Sequence, residues 1–281
     1  MKWFKPVISV MIQNFRKWRQ DCRIWISLAL LMIFIHSATS QLSVFCDYAD
    51  IKCTPWIYPF LYMQHYQKIL YFLPLILIFS NAPFTDNNQL YMILRCGRIR
   101  WCLGQICYII AASAIYFLFI IFASVLLNLK CMTFSGEWGK ILTTLANTNA
   151  GSQFQIAFSV NRNVIDMFTP FQATWFTFLH SWASGIILGL VIFLANTKLK
   201  GIGTFFAAFL LVFSALASKQ PSMVKYSPIT WSTLNYIHLT QNDLFPSYGY
   251  ITVSYILLFA VLLLVMLVIA RRYSFEEAFR K

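Results

Sequence analysis

The sequence predicts an all-α membrane protein: six transmembrane helices, an N-terminal amphipathic interfacial helix, and both termini in the cytoplasm. Three observations predict it. The 281 residues are 59% hydrophobic and 18% aromatic but only 11% charged, where a soluble domain carries about a quarter charged residues. Those charges are crowded into short segments separated by long uncharged runs, the pattern of a polytopic membrane protein. Lys and Arg are also divided unevenly between the two sides, fifteen against seven. The richer side, which holds both termini, is the cytoplasmic one.

The net charge of +13 would point to nucleic acid in a soluble protein. Here the basic residues anchor the ends of spans and meet anionic lipid. The bilayer is the expected partner, and no nucleic acid is.

Residues 1–23 are basic and amphipathic, without the compact apolar stretch and small-residue end of a cleavable signal peptide. At a hundred degrees per residue, Phe4, Val7, Ile8, Met11, Phe15 and Trp18 fall on one face, with Trp3 and Ile12 at its edges. Lys2, Lys5, Ser9, Gln13, Arg16 and Gln20 fall on the other. Such a helix lies in the membrane interface, apolar side down. The alternative is an ordinary helix packed on a partner.

The six-helix transmembrane domain covers 24–270. The first span is Ile24–Ser40, followed by an outer loop at 41–58. The second runs from near Phe60 to about Phe84, and Pro74 inside it predicts a kink. A short basic loop, 86–105, precedes the third span, Ile106–Leu129. The longest outer loop, 130–169, is polar, with short surface helices expected at Phe154–Phe158 and Val164–Phe168. The fourth span is Phe171–Asn196. A tight turn at Lys198–Gly201 leads to the fifth, Ile202–Ala217. An outer loop at 219–247 precedes the sixth, Tyr248–Ala270, and 271–281 is a cytoplasmic tail.

The chemistry the chain lacks narrows its function. All nine acidic residues lie outside the cores of the spans, whereas ion-coupled carriers usually bury Asp, Glu or Lys at mid-membrane. There is no GxxxxGK[ST] loop and no HExxH, so the chain is not expected to be an enzyme by itself. No catalytic residue, cofactor ligand or metal ligand is assigned. Ser181, Gly185 and Gly189, with Ser184, are small residues at helical spacing in the fourth span and serve tight helix packing, with His180 one turn away. His65 and Lys68 read as interfacial, with Lys68 snorkelling outward. Of the seven cysteines, Cys46, Cys53 and Cys131 fall in outer segments. A Cys46–Cys53 disulfide and free thiols both remain open there.

The basic loop carries the clearest signal. Arg95, Arg98 and Arg100 are interleaved with Leu94, Ile99, Trp101 and Leu103. The string Leu94-Arg-Cys-Gly-Arg-Ile-Arg-Trp-Cys-Leu-Gly104 resembles the Arg-x-Gly-Arg-x-x-Trp-like string ahead of the third span in membrane subunits of type V ABC exporters. That superfamily includes O-antigen and teichoic-acid exporters, G-subfamily transporters and bacterial drug and peptide exporters. Tyr226-Ser-Pro-Ile-Thr-Trp-Ser232 is similar to a recurrent Ser-Pro-x-x-Trp string of the same family.

The resemblance implies that 86–105 is a coupling helix seated in a groove of a cytoplasmic ATPase. Leu94, Ile99, Trp101 and Leu103 would supply apolar contact, and Arg95, Arg98 and Arg100 would reach acidic groups. The N-terminal helix would be the connecting helix beside that ATPase. Two ATPase copies, which bind ATP and Mg, and a second permease copy or a paralogue are implied. The first, second and fifth spans would line the pathway. Their apolar residues suit an amphipathic or hydrophobic cargo, a peptide, drug or lipid-like molecule, exported across a bacterial plasma membrane. The competing expectation is an ion-coupled secondary transporter.

Overall fold

The computed structural model describes residues 3–84, 89–198, 201–236 and 245–272. Asp86 at the head of the basic loop, Leu199 and Lys200 of the expected turn, His238 and the tail beyond Arg272 lie outside them, as does the side chain of His65. The described residues form helices joined by loops, with one isolated bridge, Cys53 to Met132, and no strand.

In chain order the helices are α1 (Lys5–Arg16), α2 (Cys22–Ala49), α3 (Tyr58–Leu61), α4 (His65–Phe79), α5 (Gln89–Cys96), α6 (Arg98–Leu127), α7 (Gly139–Asn147), α8 (Ala150–Gln153), α9 (Arg162–Met167), α10 (Pro170–Lys198), α11 (Ile202–Ala217), α12 (Pro221–Val224) and α13 (Tyr248–Arg272). Four of them, α2, α6, α10 and α13, are long and apolar enough to cross a membrane. α4, with 15 residues, and α11, with 16, are apolar but shorter. At about 1.5 Å per residue they reach roughly 24 Å, against a hydrocarbon core of about 30 Å.

Local chemistry sets the ends of these helices. Asp21 caps α2 by accepting from the Arg23 amide at 3.0 Å. α2 then runs on to Ala49, well past the expected end at Ser40, and stops at Asp50 in the left-handed region (φ 51). Gln41–Ala49 holds neither Gly nor Pro, so nothing in the chain halts the helix sooner. Gly97 separates α5 from α6 with φ 82 and ψ 150, a backbone open to glycine alone.

α10 is the hub. It packs against α4, α6, α11 and α13, and 61% of its apolar window is buried, against 17% for α13. A Cβ on Gly185 would lie 2.7 Å from the Phe117 ring, and one on Gly189 2.5 Å from Ile109 Cγ2. Small residues therefore set how closely α10 approaches α6. Trp182 on the same helix donates to the Ile110 carbonyl at 2.9 Å.

Three outer segments differ from expectation. Phe154–Phe158 is not helical, because Gln155 sits at φ 53. The polar loop instead holds α7, whose Ile141, Leu142 and Leu145 are buried. Residues 227–234 of the expected outer loop are folded inside the bundle, with Thr230, Thr233 and Leu234 fully buried. All seven cysteines are free thiols. Cys46 and Cys53 are neighbours, and hydrogen bonding to Cys46, with burial, holds the Cys53 thiol well above its ordinary range.

Candidate functional site

The site expected from the basic loop is built at the α1 end of the bundle. Residues 98–105 are not a loop but the first two turns of α6, so only α5 and Gly97 project as a separate unit. Within α5, Ile93 is buried and holds the helix to the bundle, while Tyr91 is 71% and Leu94 69% exposed. Arg95 is exposed beside them. Ile99, on the first turn of α6, is also exposed. These four side chains form a mixed apolar and cationic surface.

The remaining expected docking residues are used within the fold. Trp101 is 4% exposed and its ring lies 6.2 Å from that of Phe193. That corrects the expectation that Trp101 offers apolar contact to a partner: it sits where the α6 periodicity turns it toward α10. Leu103 is half-buried against the core. Arg98 Nη1 donates to the Arg271 carbonyl at 3.3 Å, on the last turn of α13, where the helix dipole is negative. The Arg100 guanidinium lies 5.7 Å from the centre of the Trp3 ring. Two of the three arginines thus brace α6 against its neighbours, and Arg95 is left to the surface.

α1 lies along α6 and touches α5. Its apolar face is divided, which corrects the expectation of one membrane-facing side. Val7, Val10 and Asn14 are buried against α6. Met11, Phe15 and Trp18 are half-buried at the margin, and Phe4, Ile8, Ile12 and Trp3 stay exposed. Gly104 makes this close approach feasible, since a Cβ there would fall 2.6 Å from that of Val10. Asn14 Nδ2 donates to Gln105 Oε1 at 2.5 Å in a buried pair. Trp18 Nε1 donates to the Tyr108 hydroxyl at 2.8 Å, and Phe15 packs edge-on to the same ring.

A second group of polar residues lies inside the bundle at the opposite end. Lys68, on the first turn of α4, is 1% exposed, and its Nζ donates to Ser218 Oγ at 3.3 Å. It does not snorkel, because the last turn of α11 closes over it. The Ser-Pro string enters the same region. Thr230 donates to Ser227 Oγ at 2.8 Å, and Trp231 Nε1 to the Val224 carbonyl at 2.8 Å. Ser184 and Tyr255 share a hydrogen bond at 2.8 Å, and Tyr255 donates to the Pro228 carbonyl at 2.7 Å. Ser181 Oγ and the hydroxyls of Tyr58 and Tyr62 are buried together, with Tyr58 interacting with both of the others. No group of three or more His, Cys, Asp or Glu able to hold a metal occurs among the described residues.

Sequence reasoning missed the buried Lys68, the Asn14–Gln105 pair and the exposed Tyr91. The first two depend on which helices meet. Tyr91 was legible, being three and four residues before Leu94 and Arg95 on a helical face. Searches against family models, curated proteins and solved structures return no match to the chain.

Proposed function

We propose that this chain is the membrane-spanning subunit of an ATP-driven exporter of the type V ABC class. In this reading α4 and α11 complete a set of six spans, both termini are cytoplasmic, and the membrane is the plasma membrane of a bacterium. One observation carries the proposal: α5, a short helix between two spans, is set off by Gly97 and holds Leu94 and Arg95 out from the bundle. A partner groove with an apolar floor and acidic rim fits that pair. α1, fixed to α6 beside α5, extends the same surface with Phe4 and Ile8.

The partner is a cytoplasmic ATPase in two copies, which supplies ATP and Mg chemistry, and a second permease copy or paralogue completes the pathway. α2 and α11 both pack on α4 and leave one face of it uncovered, where Leu73 is 45% exposed. That apolar face suits an amphipathic or hydrophobic cargo.

Tagging the chain and extracting it in mild detergent is expected to recover a stoichiometric ATPase. Because Arg98 and Arg100 are engaged internally, the informative variant is Leu94→Asp with Arg95→Glu. It should abolish recovery of the ATPase and cargo-stimulated hydrolysis while leaving expression intact. Unchanged ATPase recovery from that variant would sink the docking assignment.

The second reading is an ion-coupled carrier, favoured by Lys68. A lysine with 1% exposure between apolar helices is the kind of group such carriers use. Gradient-driven flux in proteoliposomes holding this chain alone would establish it in place of the exporter.

A further inference from the structure

A cleft of about 1050 Å³ opens at the α1 end of the bundle, at the foot of the uncovered face of α4. Three parts of the chain meet there. The junction between α1 and α2 contributes Lys17, Asp21 and Arg23. The end of α4 contributes Leu77, the turn after it Asn81, and the first turn of α11 Thr204. Asn196 fixes the walls: its Nδ2 donates to the carbonyls of Ser80 (3.1 Å) and Ala82 (2.9 Å), and its Oδ1 accepts from the Gly203 amide (2.8 Å).

The cleft is cationic. The Arg23 guanidinium is oriented by neutral acceptors, Ser80 Oγ at 3.0 Å and Asn81 Oδ1, and pairs with no carboxylate among the described residues. Lys17 Nζ donates to the Phe84 carbonyl at 2.9 Å. Among the described residues of the lining, Asp21 is the one acidic side chain, and its Oδ1 is occupied in capping the Arg23 amide. The N-termini of α2 and α11 border the same space and add positive potential.

The cleft also lies where the apolar runs of α2, α4 and α11 begin or end, which is the depth of lipid headgroups. It continues along α4. Leu77 lines the cleft, and Leu73, one turn further into the apolar zone, is exposed on the same face. A cationic foot leading to an apolar strip fits a molecule with an anionic head and a hydrocarbon tail.

We propose that this cleft binds an anionic phospholipid, with its phosphate held by Lys17 and Arg23 and an acyl chain lying over Leu77 and Leu73 between α2 and α11. Such a lipid would tie the α1–α2 junction to α4 and α11. The proposal needs only that the chain sits in a membrane, and stands apart from any ATPase partner.

The test is native mass spectrometry of the full chain in mild detergent, titrated with phosphatidylglycerol or phosphatidylcholine, with thermal unfolding read in parallel. The unsubstituted protein is expected to prefer phosphatidylglycerol by about tenfold or more, given two cations near the headgroup. Lys17→Gln with Arg23→Gln should lose that preference. The charge-keeping pair Lys17→Arg with Arg23→Lys should retain it, which separates loss of binding from loss of folding. Lys219→Gln, at the far end of α11, should also retain it. An equal preference in the neutralised pair would overturn the site. Stabilisation by inorganic phosphate matching that by the lipid would overturn the lipid assignment. So would a cleft filled by a second copy of the chain, seen as a dimer that forms as bound lipid is lost.

Discussion

At the scale of single residues, the contact between Asn14 and Gln105 shows how α1 is held. Both side chains are buried, Asn14 at 3% and Gln105 at 0% exposure. Gln105 Nε2 has no partner among the described residues, so Asn14 provides the amide's one hydrogen bond there. Asn14→Ala removes it and leaves both polar ends of Gln105 buried, at a cost of about 1–3 kcal/mol. Replacing both residues by Leu takes away the buried polar groups together and is expected to be near neutral. The expected result is a lowered unfolding midpoint for Asn14→Ala and a recovered one for the double variant. Equal midpoints for the parent and Asn14→Ala would show that the pair contributes nothing. None of this was legible in the chain, where Asn14 is a polar residue next to an apolar stripe and Gln105 lies ninety-one positions away. Lys68 taught the same lesson in reverse. Its place at a span mouth suggested a solvated head, and only the fold puts the end of α11 above it.

At the scale of elements, the decisive feature is the break at Gly97. A helical pattern runs through Leu94, Ile99 and Trp101, and a lone glycine at 97 is only a weak sequence signal for stopping it between Cys96 and Arg98. Glycine permits φ 82 with ψ 150, and that turn lets α5 leave the line of α6. Any residue with a Cβ there meets strain of about 1–3 kcal/mol. No atom stands within 4 Å of where that Cβ would be, so the effect is one of backbone and not of crowding. Gly97→Ala should therefore fold and insert normally while moving Leu94 and Arg95 off their positions. A spin-label pair on Leu94 and Ile8 is expected to report a changed distance, and ATPase recovery should fall with it. A distance unchanged from the parent would mean that packing of Ile93, not Gly97, sets the direction of α5. The elements that were legible, α6, α10, α11 and α13, are long apolar runs with few competing conformations. Those that were not, α7 and the buried segment at 227–234, owe their state to tertiary cover, which a polar composition conceals.

At the scale of the whole molecule, the two ends of the bundle differ in kind. One end is closed by segments folded into it: α3, the 227–234 segment and the polar residues around Lys68. The other carries the cationic cleft, α1 and the projecting α5. Among the described residues Lys and Arg are the more numerous at this second end, and the proposed topology, following the positive-inside bias, puts it in the cytoplasm. That assignment has a direct consequence for two exposed positions. Cys22, at the start of α2, is exposed at the α1 end, and Lys140, at the start of α7, is exposed at the other. In a background lacking the other cysteines, a membrane-impermeant maleimide added to intact cells should leave Cys22 unmodified until the membrane is opened. With Cys22 also removed, Lys140→Cys should react at once. The reverse pattern would turn the molecule over, place α5 outside the cell and leave no cytoplasmic ATPase able to reach it. If both positions react in intact cells, the number of crossings between them is even, α4 fails to cross, as its length of 15 residues allows, and the six-span reading falls with it. Labelling from opposite sides would instead fix an odd number of crossings between residues 22 and 140, which three spans formed by α2, α4 and α6 satisfy.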